Sequence, residues 1–172
     1  MMQLLALALA VFAIVSANAF TPAQIKFQDE TLQRHNALRA RHCAQPLRLD
    51  SNLNKIAQDY ADYLAATNGF QHSNNGYGEN LYMSSSSVPL ANLHGNEATQ
   101  AWYDEIEDYN FGRPGFSGAT GHFTQVVWKG STRLGVGIGF GNGGRRAIVV
   151  CNYDPPGNYM GQFPQHVAPA QC

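Results

Sequence analysis

Residues 134–153 read Leu134-Gly135-Val136-Gly137-Ile138-Gly139-Phe140-Gly141-Asn142-Gly143-Gly144-Arg145-Arg146-Ala147-Ile148-Val149-Val150-Cys151-Asn152-Tyr153. Leu134, Val136, Ile138 and Phe140 alternate with glycine at the two-residue period of a strand, and Ala147 to Tyr153 is rich in β-branched and aromatic residues. Gly141-Asn142-Gly143-Gly144 between them is turn chemistry, so the stretch predicts an antiparallel hairpin. The alternating glycines leave one face of the first strand nearly flat, where a helix or a ligand can approach the backbone closely. Gly139 to Gly144 also fits the nucleotide-binding pattern G-x-G-x-x-G, but that motif opens a helix and here a strand-like run follows.

Upstream, the periodicity changes to that of helices. Thr21-Pro22-Ala23-Gln24 combines a capping hydroxyl, a proline at the first helical position and a glutamine three residues past the cap, which starts a helix running to about Arg41. After Asp50-Ser51, apolar side chains at Leu53, Ile56, Ala57, Tyr60, Ala61 and Leu64 form one helical stripe that Asn68-Gly69 ends. A third helix is expected from Asn96 to about Tyr109, with Glu105 on the apolar face three residues beyond Trp102, where a carboxylate needs a partner. Asn74 to Gly78 reads as a turn into a short strand at Glu79 to Tyr82, and Ser84 to Ser87 as a loop. Helices, a helix between short strands, then a hairpin favour an α+β layered domain over a parallel sheet.

The chain has 172 residues, 13% of them charged, with 11 Lys plus Arg against 12 Asp plus Glu. That length suits one domain. The charge balance argues against nucleic-acid or anionic-membrane binding, which rest on clustered positive charge. Arg39, Arg41, His42 and Arg48 lie close in sequence and read as a solvated helix end. Leu4 to Val15 is an unbroken apolar run followed by Ala17-Asn18-Ala19, a signal-peptide pattern too short at about 18 Å to span a bilayer. Residues 1–19 are therefore expected to be removed on secretion, leaving a domain over 20–163 and a short tail over 164–172.

Three cysteines meet an oxidising compartment in that case. The expected pair is Cys43 with Cys151, leaving Cys172 as a free thiol or an intermolecular partner. Gly115 to Ala119 falls short of a nucleophile elbow, and H-E-x-x-H, paired C-x-x-C and phosphate-loop motifs are absent from the sequence.

Two longer stretches carry a resemblance. Gly121-His122-Phe123-Thr124-Gln125-Val126-Val127-Trp128-Lys129-Gly130-Ser131 and Ile148-Val149-Val150-Cys151-Asn152-Tyr153-Asp154-Pro155-Pro156-Gly157-Asn158-Tyr159 resemble the two signature motifs of the CAP superfamily of cysteine-rich secretory, antigen five and pathogenesis-related proteins. His35-Asn36 with Arg39, His72-Ser73, Gly78-Glu79-Asn80-Leu81 and Trp102 to Ile106 extend the likeness from about Phe27 to Phe163. The small cysteine set is similar to the Golgi-associated plant pathogenesis-related subgroup.

The resemblance implies a three-layer α-β-α sandwich with a central, mostly antiparallel sheet and a cleft lined by His72, Glu79, Glu105 and His122. Neutral imidazoles are good zinc ligands, and carboxylates orient them through the second ring nitrogen. His72 and His122 are therefore the candidate ligands for Zn2+ or another divalent ion, with Glu79 and Glu105 behind them. The alternative is that the four satisfy one another by hydrogen bonds alone. His35 reads as helix packing, and His42, His94 and His166 receive no role.

Two function classes follow. One is a secreted, non-enzymatic binding module, monomeric or weakly dimeric, holding a lipid, a sterol or an extracellular protein, with Tyr77, Ser84 to Val88 and Phe111 to Phe116 as edges. The other is a metal-assisted, protease-like hydrolase in which Glu79 or Glu105 is the general base on a water held by the histidines. Ser73 is a poor nucleophile for His72, because neighbours on an extended chain point to opposite faces.

Overall fold

The computed structural model describes residues 20–90 and 93–171. The expected signal segment 1–19 and Cys172 lie outside the described residues. The elements are α1 (Pro22–Ala40), β1 (Arg48–Leu49), α2 (Ser51–Thr67), β2 (Gly78–Ser85), α3 (Gly95–Asp104), a 3-10 turn (Glu105–Asp108), α4 (Gly121–Val127), β3 (Arg133–Gly141), β4 (Arg146–Asp154) and α5 (Phe163–His166). No described helix is long and apolar enough to cross a membrane.

Local chemistry sets the first two helices. The Gln24 amide donates to the Thr21 hydroxyl (3.2 Å) while the Thr21 amide donates back to Gln24 Oε1 (2.8 Å), a capping box with Pro22 inside it. Asp50 accepts from the Asn52 and Leu53 amides, both at 3.0 Å, and these bonds hold its carboxyl below the usual range. Asn68 closes α2 in the left-handed conformation, φ 53°.

The strands form one sheet in the order β1-β3-β4-β2, antiparallel except for the β1–β3 pair. Its pleat sorts side chains into two cores. Leu134, Val136, Ile138, Val149, Cys151 and Tyr153 face a layer of α1, α3 and α4, while Ile148, Val150 and Leu81 face α2. The result is the expected three-layer α-β-α sandwich. The flat face of β3 is where α2 lies: a Cβ added to Gly135, Gly137, Gly139 or Gly141 would sit 2.3–2.4 Å from the backbone of Leu53, Ala57, Ala61 or Ala65, one helical turn apart. The occupant of the glycine face is thus a helix of this chain.

Several expectations are corrected. The third helix begins at Gly95 and yields to the 3-10 turn at Glu105. Strand β2 takes in Ser84 and Ser85. Helix α4 and the two-residue β1 carry too little periodicity to be read from sequence. Val167, placed in the tail, is buried in the larger core. The Cys43–Cys151 bridge is not formed: Cys151 is a free thiol on the inner face of β4, wholly buried, and burial pushes its pKa up. Cys43 is engaged elsewhere.

The basic helix end is corrected too, because Arg39 and His42 are fully buried. The inward stripe of α1 is polar, at Gln28, Thr31, His35 and Arg39, and each member is satisfied. His35 Nδ1–H donates to the Thr31 carbonyl (2.9 Å), so Nε2 is the acceptor for the Tyr153 hydroxyl (2.8 Å). Burial of this neutral ring pushes its pKa from 6.5 down to about 4. A folded-state pKa below the unfolded value means that the unfolded chain takes the proton first. The contribution is therefore full above pH 6.5 and lost as pH falls toward 4, worth about 3 kcal/mol. Unfolding free energies at pH 7 and near the lower value should differ accordingly, and His35→Gln should flatten that difference; an unchanged slope would exclude His35 as its source.

Candidate functional site

Two imidazole–carboxylate pairs stand on the loops and strand at one end of the sheet. His72 and Ser73 belong to the loop after α2, and Glu79 to the start of β2, which pairs with Asn152 of β4. Glu79 is nearly buried, and every oxygen has a partner. Oε1 accepts from His72 Nδ1 (2.7 Å) and the Ser73 amide (3.0 Å), and Oε2 from the Ser73 hydroxyl (2.5 Å) and Asn152 Nδ2 (3.5 Å).

Glu105 plays the matching part for His122. It begins the 3-10 turn after α3, and α4 begins at Gly121 without a side-chain cap of its own from Thr120. Glu105 supplies that cap from outside: Oε2 accepts the His122 and Phe123 amides at 3.0 and 3.1 Å, and Oε1 accepts His122 Nδ1 at 2.6 Å. The expected partner for the carboxylate on the apolar face of α3 is therefore both an imidazole and a helix end. The His122 ring also stacks beside Trp102, centroids 6.2 Å apart at 23°.

Both pairs have one consequence for the tautomer. A carboxylate only accepts, so each histidine carries a proton on Nδ1, and the neutral ring presents a bare Nε2 lone pair. The side chain of His72 is 59% exposed and that of His122 34%, so both rings reach solvent. The order of contacts near Ser73 is hydroxyl, carboxylate, imidazole, whereas serine catalysis needs the imidazole in the middle.

The structure thus brings together each histidine with its glutamate, and Asn80, next to Glu79 on β2, holds the His122 backbone. Asn80 Nδ2 donates to the His122 carbonyl (3.1 Å) and lies 3.2 Å from the Tyr153 hydroxyl that itself bonds His35. Asn80 and Tyr153 are residues that sequence reasoning did not single out, although both fall inside the quoted motifs. Among the described residues, no three His, Cys, Asp or Glu side chains gather as a group able to hold a metal ion. Of the expected edges, Phe111 packs on the core while Tyr77, Val88 and Phe116 are exposed.

A separate apolar cavity of about 510 Å³ opens between the start of α1, the segment before α3 and the end of the β3–β4 hairpin. Phe27, Pro89, Leu90, Leu93, Ile138 and Phe140 line it, and none of the four paired residues does.

The architecture agrees with what comparison with known proteins shows. Residues 32–153 match the model of the CAP, "Cysteine-rich secretory protein", family. The chain is 40% identical over 153 residues to the Golgi-associated plant pathogenesis-related protein 1 of Homo sapiens, covering 86% of this chain and 96% of that one. It is 38% identical over 138 residues to the pathogenesis-related protein 1 of Arabidopsis thaliana, covering 80% and 81%. The structure of BmVAL-1 superposes with a TM-score of 0.70 at 24% identity, covering 91% of this chain and 88% of that one. The crystal structure of NaASP2 with Zn2+ does so at 0.65 and 26% identity, covering 90% of each. A family model spanning most of the chain, a relative matched almost end to end and a shared sandwich lead to one conclusion: this chain belongs to the CAP family of cysteine-rich secretory proteins.

Proposed function

We propose that this protein is a secreted, non-enzymatic binding module whose two His–Glu pairs hold a divalent ion and whose apolar cavity takes a lipid or sterol. The observation that carries the reading is the donor set: each carboxylate accepts its histidine's Nδ1 and backbone amides beside it, Glu79 Oε1 from His72 and Ser73, Glu105 from His122 and Phe123, which leaves the two Nε2 atoms facing outward as donors to an ion. That favours a ligand's chemistry, since the carboxylates serve to orient the rings. Two neutral imidazoles held by carboxylates suit Zn2+, with water completing the shell. The likeness to a protein solved with Zn2+ supports the same ion here. Such an ion would supply Lewis acidity; the chain's own residues orient the imidazoles, with Glu79 and Glu105 fixing the proton on Nδ1.

The cavity supports the apolar ligand. Its size falls within the range of small-molecule sites, and aliphatic and aromatic side chains line it. The secretion expected from the N-terminal pattern fits the same role, in a monomer or weak dimer.

Zinc titration by calorimetry tests the metal. One saturable site is expected in the wild type, abolished in His72→Ala and in His122→Ala, and weaker near about pH 5.5 than near about 7.5 because a protonated imidazole has no lone pair to give. Binding that persists in both variants, or none in folded wild type, would overturn the site. A fluorescent peptide library tests the hydrolase alternative: no turnover is expected, and cleavage lost in Glu79→Gln would reverse the assignment.

A further inference from the structure

We infer that Met83 is a stereoselective oxidation site: a peroxide converts it to one sulfoxide epimer, because the Arg146 guanidinium holds one of the two lone pairs on its sulfur. Met83 lies on β2, an edge strand, opposite Ile148 of β4. Arg146 is two residues before Ile148 and so on the same face of the sheet, where diagonal neighbours come within reach of long side chains. There Nε donates to the Met83 sulfur at 3.3 Å. At the border of the sheet Met83 is still 44% exposed, so an oxidant in solution reaches the side chain.

The donor is fixed in place. Arg146 is buried, and its outer nitrogens are anchored at the end of α2: Nη1 donates to the Leu64 carbonyl (3.1 Å) and Nη2 to the Gly69 carbonyl (2.7 Å). A planar guanidinium tied at both carbonyls keeps Nε aimed at one side of the sulfur. The thioether is a weak acceptor, and on a chiral chain its two lone pairs lead to different products. One is occupied by Nε, and the other is left for the oxidant. Met160 is the contrast, 78% exposed and with no hydrogen bond to its sulfur among the described residues.

The step balances with hydrogen peroxide as oxidant. The open lone pair attacks one peroxide oxygen, an S–O bond forms, the O–O bond breaks and hydroxide leaves. The transferred oxygen gives its proton to that hydroxide, so sulfur loses two electrons and the peroxide ends as one water. Methionine sulfoxide reductases act on one epimer each, so Met83 is restored by one of the two types, whereas Met160 needs both.

Peroxide treatment of the folded protein tests this, with peptide mapping before and after each of the two epimer-specific reductases. At Met83 one epimer should exceed the other about fivefold, the ratio that corresponds to breaking one hydrogen bond. Met160, and both residues when the chain is oxidised in urea, should give near-equal epimers, and Arg146→Leu should bring Met83 to equality as well. Equal epimers at Met83 in the folded wild type would overturn the inference. So would an excess that persists in urea or in folded Arg146→Leu, or Met83 left unoxidised when Met160 is fully converted. The comparison of folded with urea-unfolded wild type needs no variant, so an Arg146→Leu chain that fails to fold leaves the test intact.

Discussion

Arg39→Met is expected to destabilise the fold by about 3 to 5 kcal/mol, the largest loss of any single substitution considered. The guanidinium is completely buried, and four carbonyls share it. Nε donates to Gln45 O, Nη1 to Val126 O and Trp128 O, and Nη2 to Ser131 O, all at 2.9 Å. Three of those carbonyls lie at the end of α4 and in the turn after it, where no further helical amide can reach them. The positive charge also complements the helix dipole there. Burial pushes the Arg39 pKa down to about 10, which leaves it charged at neutral pH.

Methionine would fill much of the stem's volume while taking a donor from all four acceptors, of which Trp128 O keeps the Ser131 amide (3.2 Å), and an unsatisfied buried carbonyl costs more than its hydrogen bond contributes. Urea denaturation followed by circular dichroism measures the loss. Arg39→Lys should recover only part of it, since an ammonium cannot span the same fork. A loss under about 1 kcal/mol in Arg39→Met would show that water replaces the guanidinium, contrary to its complete burial.

Gly137→Val should be nearly as damaging, at about 3 kcal/mol. Even the first added carbon at Gly137 would lie 2.3 Å from the carbonyl carbon of Ala57, and backbone cannot swing aside as a side chain can. Helix α2 would have to lift off the sheet, opening the smaller core of Ala57, Ala61, Leu64, Ile148 and Val150. Two buried bonds across the same seam would stretch with it: Gln58 Nε2 to the Ile138 carbonyl (2.7 Å) and the Ile138 amide to Gln58 Oε1 (3.1 Å). The measurement is the unfolding midpoint in urea beside Gly143→Ala, where a Cβ meets nothing within 4 Å and φ is 62°, so only backbone strain is added. Equal losses at the two positions would mean that close packing of α2 is not what the glycines serve.

Which parts of the molecule were legible in sequence follows from the range of the forces involved. The capping box of α1, the stripe and left-handed cap of α2 and the β3–β4 hairpin rest on contacts within a few residues, so local pattern predicts them. Helix α4 is seven residues long, and its cap comes from Glu105 across the molecule. A helix that short has too little periodicity of its own. The basic end of α1 misleads for a related reason: Arg39 and His42 pass for a solvated helix end until the carbonyls and the Tyr103 hydroxyl that they meet are in view.

The site divides the same way. The residue types His72, Glu79, Glu105 and His122 stood out through motif resemblance and ligand chemistry. Their pairing, the proton on each Nδ1 and the bare Nε2 depend on which carboxylate meets which ring. The cysteine pairing was misjudged because loop length says nothing about where a sulfur points, and Cys151 points into the core.

By itself the sequence determined the layered α+β class, the ends of α1 and α2, the hairpin and its bare glycine face, since each follows from propensity, capping or side-chain period along a short stretch. Only the tertiary structure decided that α2 occupies that face, that Arg39 serves four carbonyls, that Glu105 caps α4 while holding His122, and that Cys151 stays unpaired. Those outcomes depend on the direction and burial of groups far apart in the chain, and burial turns a weak surface preference into a strict requirement for a partner.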